Sequence, residues 1–180
     1  MDMNFQVQEA LRGKKEAFVT LIKHSEVSMY RIARSMLHSD SDCADAIQES
    51  ILKAYNSLPS LREPDFFRSW LIRILMNECH NILKRRKKVI PIPITEVMTQ
   101  SVERGNPYAL IELKDAVNSL PGELRVIVTL YYFEDLPLKD ISEMLHTPVG
   151  TIKSRLSRAR TELSQLLGIQ VKGVTCRERN

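Results

Sequence analysis

At 180 residues, 43% of them hydrophobic and 27% charged, the chain has the make-up of a soluble globular protein with one good core or two small ones. Its net charge of +4 is a mild bias, so where the positive charge collects matters more than its sum. A polar N-terminus, no apolar run near the roughly 20 residues that span a bilayer, and three scattered cysteines (Cys43, Cys79, Cys176) predict a cytoplasmic protein without membrane insertion or disulfides.

Few aromatic residues and no sustained strand-like alternation predict an all-α chain. Over residues 5–37, Phe5, Leu11, Phe18, Leu21, Ile22, Tyr30, Ile32, Ala33, Met36 and Leu37 fall at helical spacing, and Gly13 divides a short helix from a longer one. HSDSD (38–42) is a turn whose Ser or Asp caps a helix running to about Leu58. Pro59 and Pro64 bracket a loop. A third long helix follows, from about Asp65 to Lys87, with Phe67, Trp70, Leu71, Ile74, Leu75 and Ile82 on its apolar side.

The stretch VIPIPITEVMTQSVERGNP then shifts composition, with three prolines, one glycine and no period, and reads as a flexible linker between domains. Beyond it come shorter helices: Pro107–Leu120, one starting at Pro121, Leu138–Leu145, and one from Val149 to near Gly168. RVIVTLYYF (125–133) has strand propensity. It reads instead as helix, because it follows a Pro-Gly-Glu helix start and a lone strand would have no partner. The expected organisation is two small helical domains, 1–88 and 107–168, a linker at 89–106 and a tail at 169–180.

Three features carry chemistry. LKDISEMLHTPVGTIKSRLSRARTEL (138–163) has the grammar of a helix-turn-helix. Its second helix buries Ile152, Leu156, Ala159 and Leu163 and projects Thr151, Lys153, Ser154, Arg155, Ser157 and Arg158. A helix of that width fits the major groove, and no acid interrupts its basic face before Glu162. KRRKK (84–88) exceeds what capping a helix C-terminus requires, so an anionic polymer is its natural counter-charge; Arg68 and Arg73 extend it. Phe66, Phe67 and Trp70 lie nearby, where aromatics interleaved with arginines suit unstacked bases, although Trp70 reads first as core. Finally, Asp42, Asp45 and Glu49, with Gln48, share one helix face.

That face reads as a solvated helix face, its acids favoured by the N-terminal end of the helix dipole, or as a docking surface for a basic protein, rather than as a catalytic centre. No second carboxylate cluster, general base or phosphate loop accompanies it, and His24, His38, His80 and His146 are scattered. Zinc-like spacings are missing around Cys79-His80. Neither metal nor other cofactor is expected, nor enzymatic activity.

DCADAIQESILKAY (42–55) resembles the core-polymerase-binding helix of bacterial sigma factors. FRSWLIRILMNECHNILKRRKK (67–88) is similar to the helix that melts and reads the −10 promoter element, and residues 119–163 look like the −35-binding domain. Together they resemble the extracytoplasmic-function sigma factors of the sigma-70 family. The resemblance implies a subunit that binds the β and β′ subunits of core RNA polymerase through Asp42, Asp45, Gln48 and Glu49. It implies −10 contacts by Leu61, Arg68, Arg73, Ile74, Asn77, Lys84, Arg85 and Arg86, with Leu61–Phe66 completing a pocket for an unpaired base. It implies −35 contacts by Thr151, Lys153, Ser154, Arg155, Ser157 and Arg158. The linker would thread toward the RNA exit channel, and a separate anti-sigma factor would hold the protein inactive. Cys43 and Ala44 replace the usual Ala-Glu, Asn81 a common Asp, and Lys153 a frequent Arg. The alternative reading is a dimeric helix-turn-helix regulator that is not a polymerase subunit.

Overall fold

The computed structural model describes residues 2–89 and 109–168, with side chains described for 2–86 and 113–168. The expected linker beyond Val89 and the tail 169–180 lie outside the described residues. Helices and turns account for the described residues, with no strand among them. The chain divides into two compact units, 1–89 and 90–180.

The first unit holds α1 (Met3–Leu11), α2 (Lys15–Met36), α3 (Asp40–Ser57) and α4 (Phe67–Val89). Asp2 caps α1 by accepting the amides of Asn4 and Phe5 at 3.0 and 3.3 Å. Gly13 stands between α1 and α2 at φ +90°, a conformation that glycine alone adopts cheaply. Glu9, itself buried, accepts from Arg12 at 2.9 Å and from Lys14, which ties this corner together. Ser39 caps α3 through the Asp42 amide at 3.4 Å. Two 3₁₀ turns, Leu58–Ser60 and Pro64–Phe66, occupy the loop, so α4 begins at Phe67, two residues later than predicted.

Helices α2, α3 and α4 pack on one another. Leu21, Met29 and Ile32 of α2 and Phe67, Leu71, Leu75 and Met76 of α4 are all buried, and the two helices pack on each other in a core from which solvent is excluded. On α3 the buried positions are small: Cys43, Ala46, Ser50 and Ala54. That stripe of short side chains lets its neighbours approach closely, and Ser50 satisfies its hydroxyl on the Ala46 carbonyl at 2.6 Å.

The second unit holds α5 (Ala109–Ser119), α6 (Gly122–Val128), α7 (Leu138–Leu145) and α8 (Val149–Leu166). RVIVTLYYF is helical, but it widens into a π-turn at Thr129–Phe133. Every residue from Leu124 to Leu130 is buried, which explains the strand-like composition: a helix enclosed on all sides needs no polar face. α7 ends at His146, whose left-handed φ of 49° lets its amide reach Glu143 O at 3.3 Å and the Thr147 amide reach Ser142 O at 3.0 Å. This Schellman turn aims α8. Ile141, Ile152, Leu156 and Ala159 lock α7 and α8 together, with Leu163 half-buried.

Candidate nucleic-acid interface

On α3, Asp45, Gln48 and Glu49 are exposed along one face. Leu52 continues the stripe at 60% exposure. Its signal in the sequence is its spacing, seven residues past Asp45 and three past Glu49. Asp42 differs from the other three. Its side chain is only 15% exposed, and its carboxylate meets Arg86 of α4 at 2.6 Å. Among the described residues no group of three or more His, Cys, Asp or Glu is placed to hold a metal ion.

On α4, Arg68, Arg73, Asn77, Lys84, Arg85 and Arg86 are exposed, whereas Ile74 is half-buried. His80 is exposed too, three residues past Asn77 and four before Lys84, so Arg73, Asn77, His80 and Lys84 share one stripe. Leu61 is placed differently from these residues. It is 8% exposed, its amide is held by Leu58 O at 3.0 Å, and its side chain supports the loop from within instead of facing solvent. Of the loop aromatics, Phe66 stands 59% exposed, while Phe67 is core and Trp70 leans on it at 5.9 Å.

A shallow cleft of about 430 Å³ opens between the end of α3 and the middle of α4. Lys53, Asn56 and Ser57 line one side, Ile74, Asn77 and Glu78 the other. Glu78 is buried at its floor, bonded to Lys53 at 2.8 Å and reached by the Asn81 amide at 3.3 Å. The hydrogen bond to Glu78 holds the Lys53 ammonium above its ordinary pKa, with Glu49, 3.6 Å away, adding to the effect. Sequence reasoning missed this pair. Its signal is that Glu78 is the only acid in α4 and falls on the heptad line of Leu71, Leu75 and Ile82, where a carboxylate requires a partner.

On α8, Ser154, Ser157 and Arg158 are exposed, and Thr151, Lys153 and Arg155 are half-buried. Arg158 pairs along its own helix with Glu162 at 2.9 Å. Arg155 does not simply project outward: its guanidinium meets Glu123 of α6 at 2.8 Å. The helix therefore presents hydroxyls and cations together, anchored from behind by Ile152, Leu156 and Ala159.

Comparison with known proteins identifies the family. The model of sigma-70 region 2 matches residues 16–89, and that of sigma-70 region 4 matches residues 110–163. RNA polymerase sigma factor SigV of Bacillus subtilis is 32% identical over 145 residues, covering 81% of this chain and 87% of that protein. ECF RNA polymerase sigma factor SigM of Mycobacterium tuberculosis is 32% identical over 165 residues, covering 92% of this chain and 84% of that protein. Among solved structures, the fold is similar to the sigma factor RpoE of Bartonella quintana, crystallised with the anti-sigma factor NepR. The TM-score is 0.68 at 24% identity, over 87% of this chain and 98% of that one. It is also similar to CnrH in complex with the cytosolic domain of CnrY, with a TM-score of 0.64 at 22% identity, over 92% and 97% of the two chains. With an acidic stripe and a basic helix on one unit, and a helix bearing cations and hydroxyls on the other, the chain belongs to the extracytoplasmic-function group of the sigma-70 family of RNA polymerase sigma factors.

Proposed function

We propose that this protein binds core RNA polymerase and directs it to promoters, reading a −10 element with residues 1–88 and a −35 element with residues 107–168. It works without chemistry of its own, since the bond-forming centre belongs to the polymerase. The observation that carries the reading is the separation of charge within the first unit: Asp45, Gln48 and Glu49 face outward from α3, while Arg68, Arg73, Lys84, Arg85 and Arg86 face outward from α4. An acidic stripe repels DNA and attracts a basic protein surface, and a basic helix does the reverse.

Asp45, Gln48 and Glu49 dock on the β and β′ subunits, and Leu52 supplies the apolar contact that charge alone lacks. Along α4, Lys84, Arg85 and Arg86 neutralise phosphates. Ile74 and Asn77 line the cleft beside α3, and Arg73 and His80 share the exposed helix stripe of Asn77. The size of the cleft, the apolar wall of Ile74 and the amides of Asn56 and Asn77 suit one unpaired base of the melted strand. Phe66 offers an exposed ring on which a neighbouring base stacks. On α8, Thr151, Lys153, Ser154, Ser157 and Arg158 enter the major groove, and Arg155 joins them only by leaving Glu123. Among the described residues no helix is long and apolar enough to cross a membrane. A cytoplasmic protein restrained by a separate anti-sigma factor completes the reading.

Run-off transcription with purified core enzyme on genomic fragments tests it. Discrete transcripts that require the chain are expected. Failure to form a stable complex with core enzyme, or a complex that initiates nowhere, would overturn the proposal.

A further inference from the structure

The acidic end of α3 and the basic end of α4 meet. Asp42 lies in the first turn of α3, Arg86 near the end of α4, and their carboxylate and guanidinium are 2.6 Å apart. Such a length marks a charge-assisted bond. The two side chains differ in setting, 15% exposed for Asp42 and 57% for Arg86. The neighbouring acid, Asp40, is occupied elsewhere, by Tyr30 at 3.2 Å and Arg34 at 3.7 Å. Among the described residues, Asp42 is thus the acid that reaches across to Arg86.

A guanidinium donates to a carboxylate through the same fork that it offers to a phosphate. While Asp42 holds Arg86, a phosphate must displace an existing partner, and it approaches against a nearby negative charge. Once displaced, Asp42 is a poorly exposed carboxylate without its cation, a state that costs free energy.

We propose that Asp42 is an internal counter-ion for α4, which restrains nucleic-acid binding by the free chain by occupying Arg86. The proposal rests on the reading of α4 as a DNA-contacting helix. It gives Asp42 a second role beside docking on polymerase with Asp45 and Glu49: in the free chain it tempers the basic helix behind them. Binding of core enzyme against the same end of α3 would offer Asp42 a replacement cation and release Arg86 to the promoter, so that docking and DNA binding favour each other.

The test uses the full-length chain without polymerase and a fluorescently labelled single-stranded oligonucleotide, read by anisotropy at several salt concentrations. Asp42→Asn is expected to bind about threefold to tenfold more tightly. Its salt dependence should steepen by roughly 0.7 in log–log slope for one added phosphate contact. In an Arg86→Gln background, Asp42→Asn should change affinity by less than about twofold, because the coupling runs through that one pair. A gain of equal size in both backgrounds would show a general charge effect and overturn the proposal, as would no gain at all. Should Asp42→Asn fail to fold, judged by circular dichroism, two variants of α4 decide. Arg85→Gln, which removes a cation that Asp42 does not hold, should weaken binding by the free chain more than Arg86→Gln does. Equal losses overturn the proposal. Capture of core enzyme by the unaltered chain tests the sigma-factor reading separately, so the two failures are distinguishable.

Discussion

Glu49 and Arg158 are both exposed ions on helices, each within reach of a partner one turn away: Lys53 at 3.6 Å for Glu49 and Glu162 at 2.9 Å for Arg158. Exposed pairs of this kind contribute about 0–1 kcal/mol to stability, so either residue can be changed without unfolding the chain. Their roles then separate cleanly. Arg158→Ala should weaken promoter binding by the holoenzyme about tenfold, within the 1–3 kcal/mol typical of a groove contact, and leave capture of core enzyme unchanged. Glu49→Arg should abolish capture of core enzyme while the free chain binds DNA at least as well. Parallel core pull-down and promoter gel-shift measurements check both, and swapped phenotypes would show that the two faces are misassigned. Arg155 is a graded case. Because Glu123 already holds its guanidinium, Arg155→Ala should cost less promoter affinity than Arg158→Ala, about threefold, together with about 0.5 kcal/mol of stability in urea melts. A loss equal to that of Arg158→Ala would mean that Arg155 lets go of Glu123 in the complex.

At the scale of elements, the corner between α1 and α2 depends on one acid. Hydrogen bonding from Lys14, then from Arg12, holds the Glu9 carboxyl below its ordinary pKa of 4.5, against the opposing effect of burial. A depressed carboxylate pKa adds stability above the unfolded-state value and loses it as pH falls through the folded one. Glu9→Gln should therefore lower the melting temperature at pH 7. That deficit should shrink as pH drops below about 4.5, where the unaltered chain also loses its ion pairs. A deficit of constant size across this range would show that Glu9 matters through packing instead. The helices of both units were legible in the sequence because apolar period, caps and prolines agree: Gly13, Ser39 and Pro121 each mark a boundary that the structure keeps. Arg155, expected to project outward, and Leu61, expected from the resemblance to line a base pocket, are held back, one by an ion pair and one by burial. The Lys53–Glu78 pair went unread for a related reason: it joins two helices, and local spacing carries no record of what faces what across a helix interface. The π-turn at Thr129–Phe133 was equally invisible, since the segment's composition suits any enclosed backbone.

At the scale of the molecule, two modules of modest size must deliver promoter specificity. On the proposed reading, α8 supplies a handful of base-edge and phosphate contacts, and α4 supplies the exposed cations Lys84, Arg85 and Arg86, which suit any nucleic acid. A single small module makes too few contacts for tight sequence-specific binding at physiological salt. The remedy is not more contacts but shared attachment: with both units mounted on core enzyme, the second DNA contact becomes effectively intramolecular, and effective concentration multiplies affinity by about 10² to 10⁴. The free chain should then bind a promoter fragment no better than about micromolar, with little preference over unrelated DNA and a steep salt dependence. Holoenzyme should bind the same fragment at least about a hundredfold more tightly, with most of the gain in sequence preference. Gel shifts at fixed salt, with and without core enzyme, measure both quantities. Nanomolar, sequence-specific binding by the free chain would mean that one unit carries recognition alone, and the purpose of joining a basic α4 to a recognition helix α8 in one chain would have to be sought outside the polymerase.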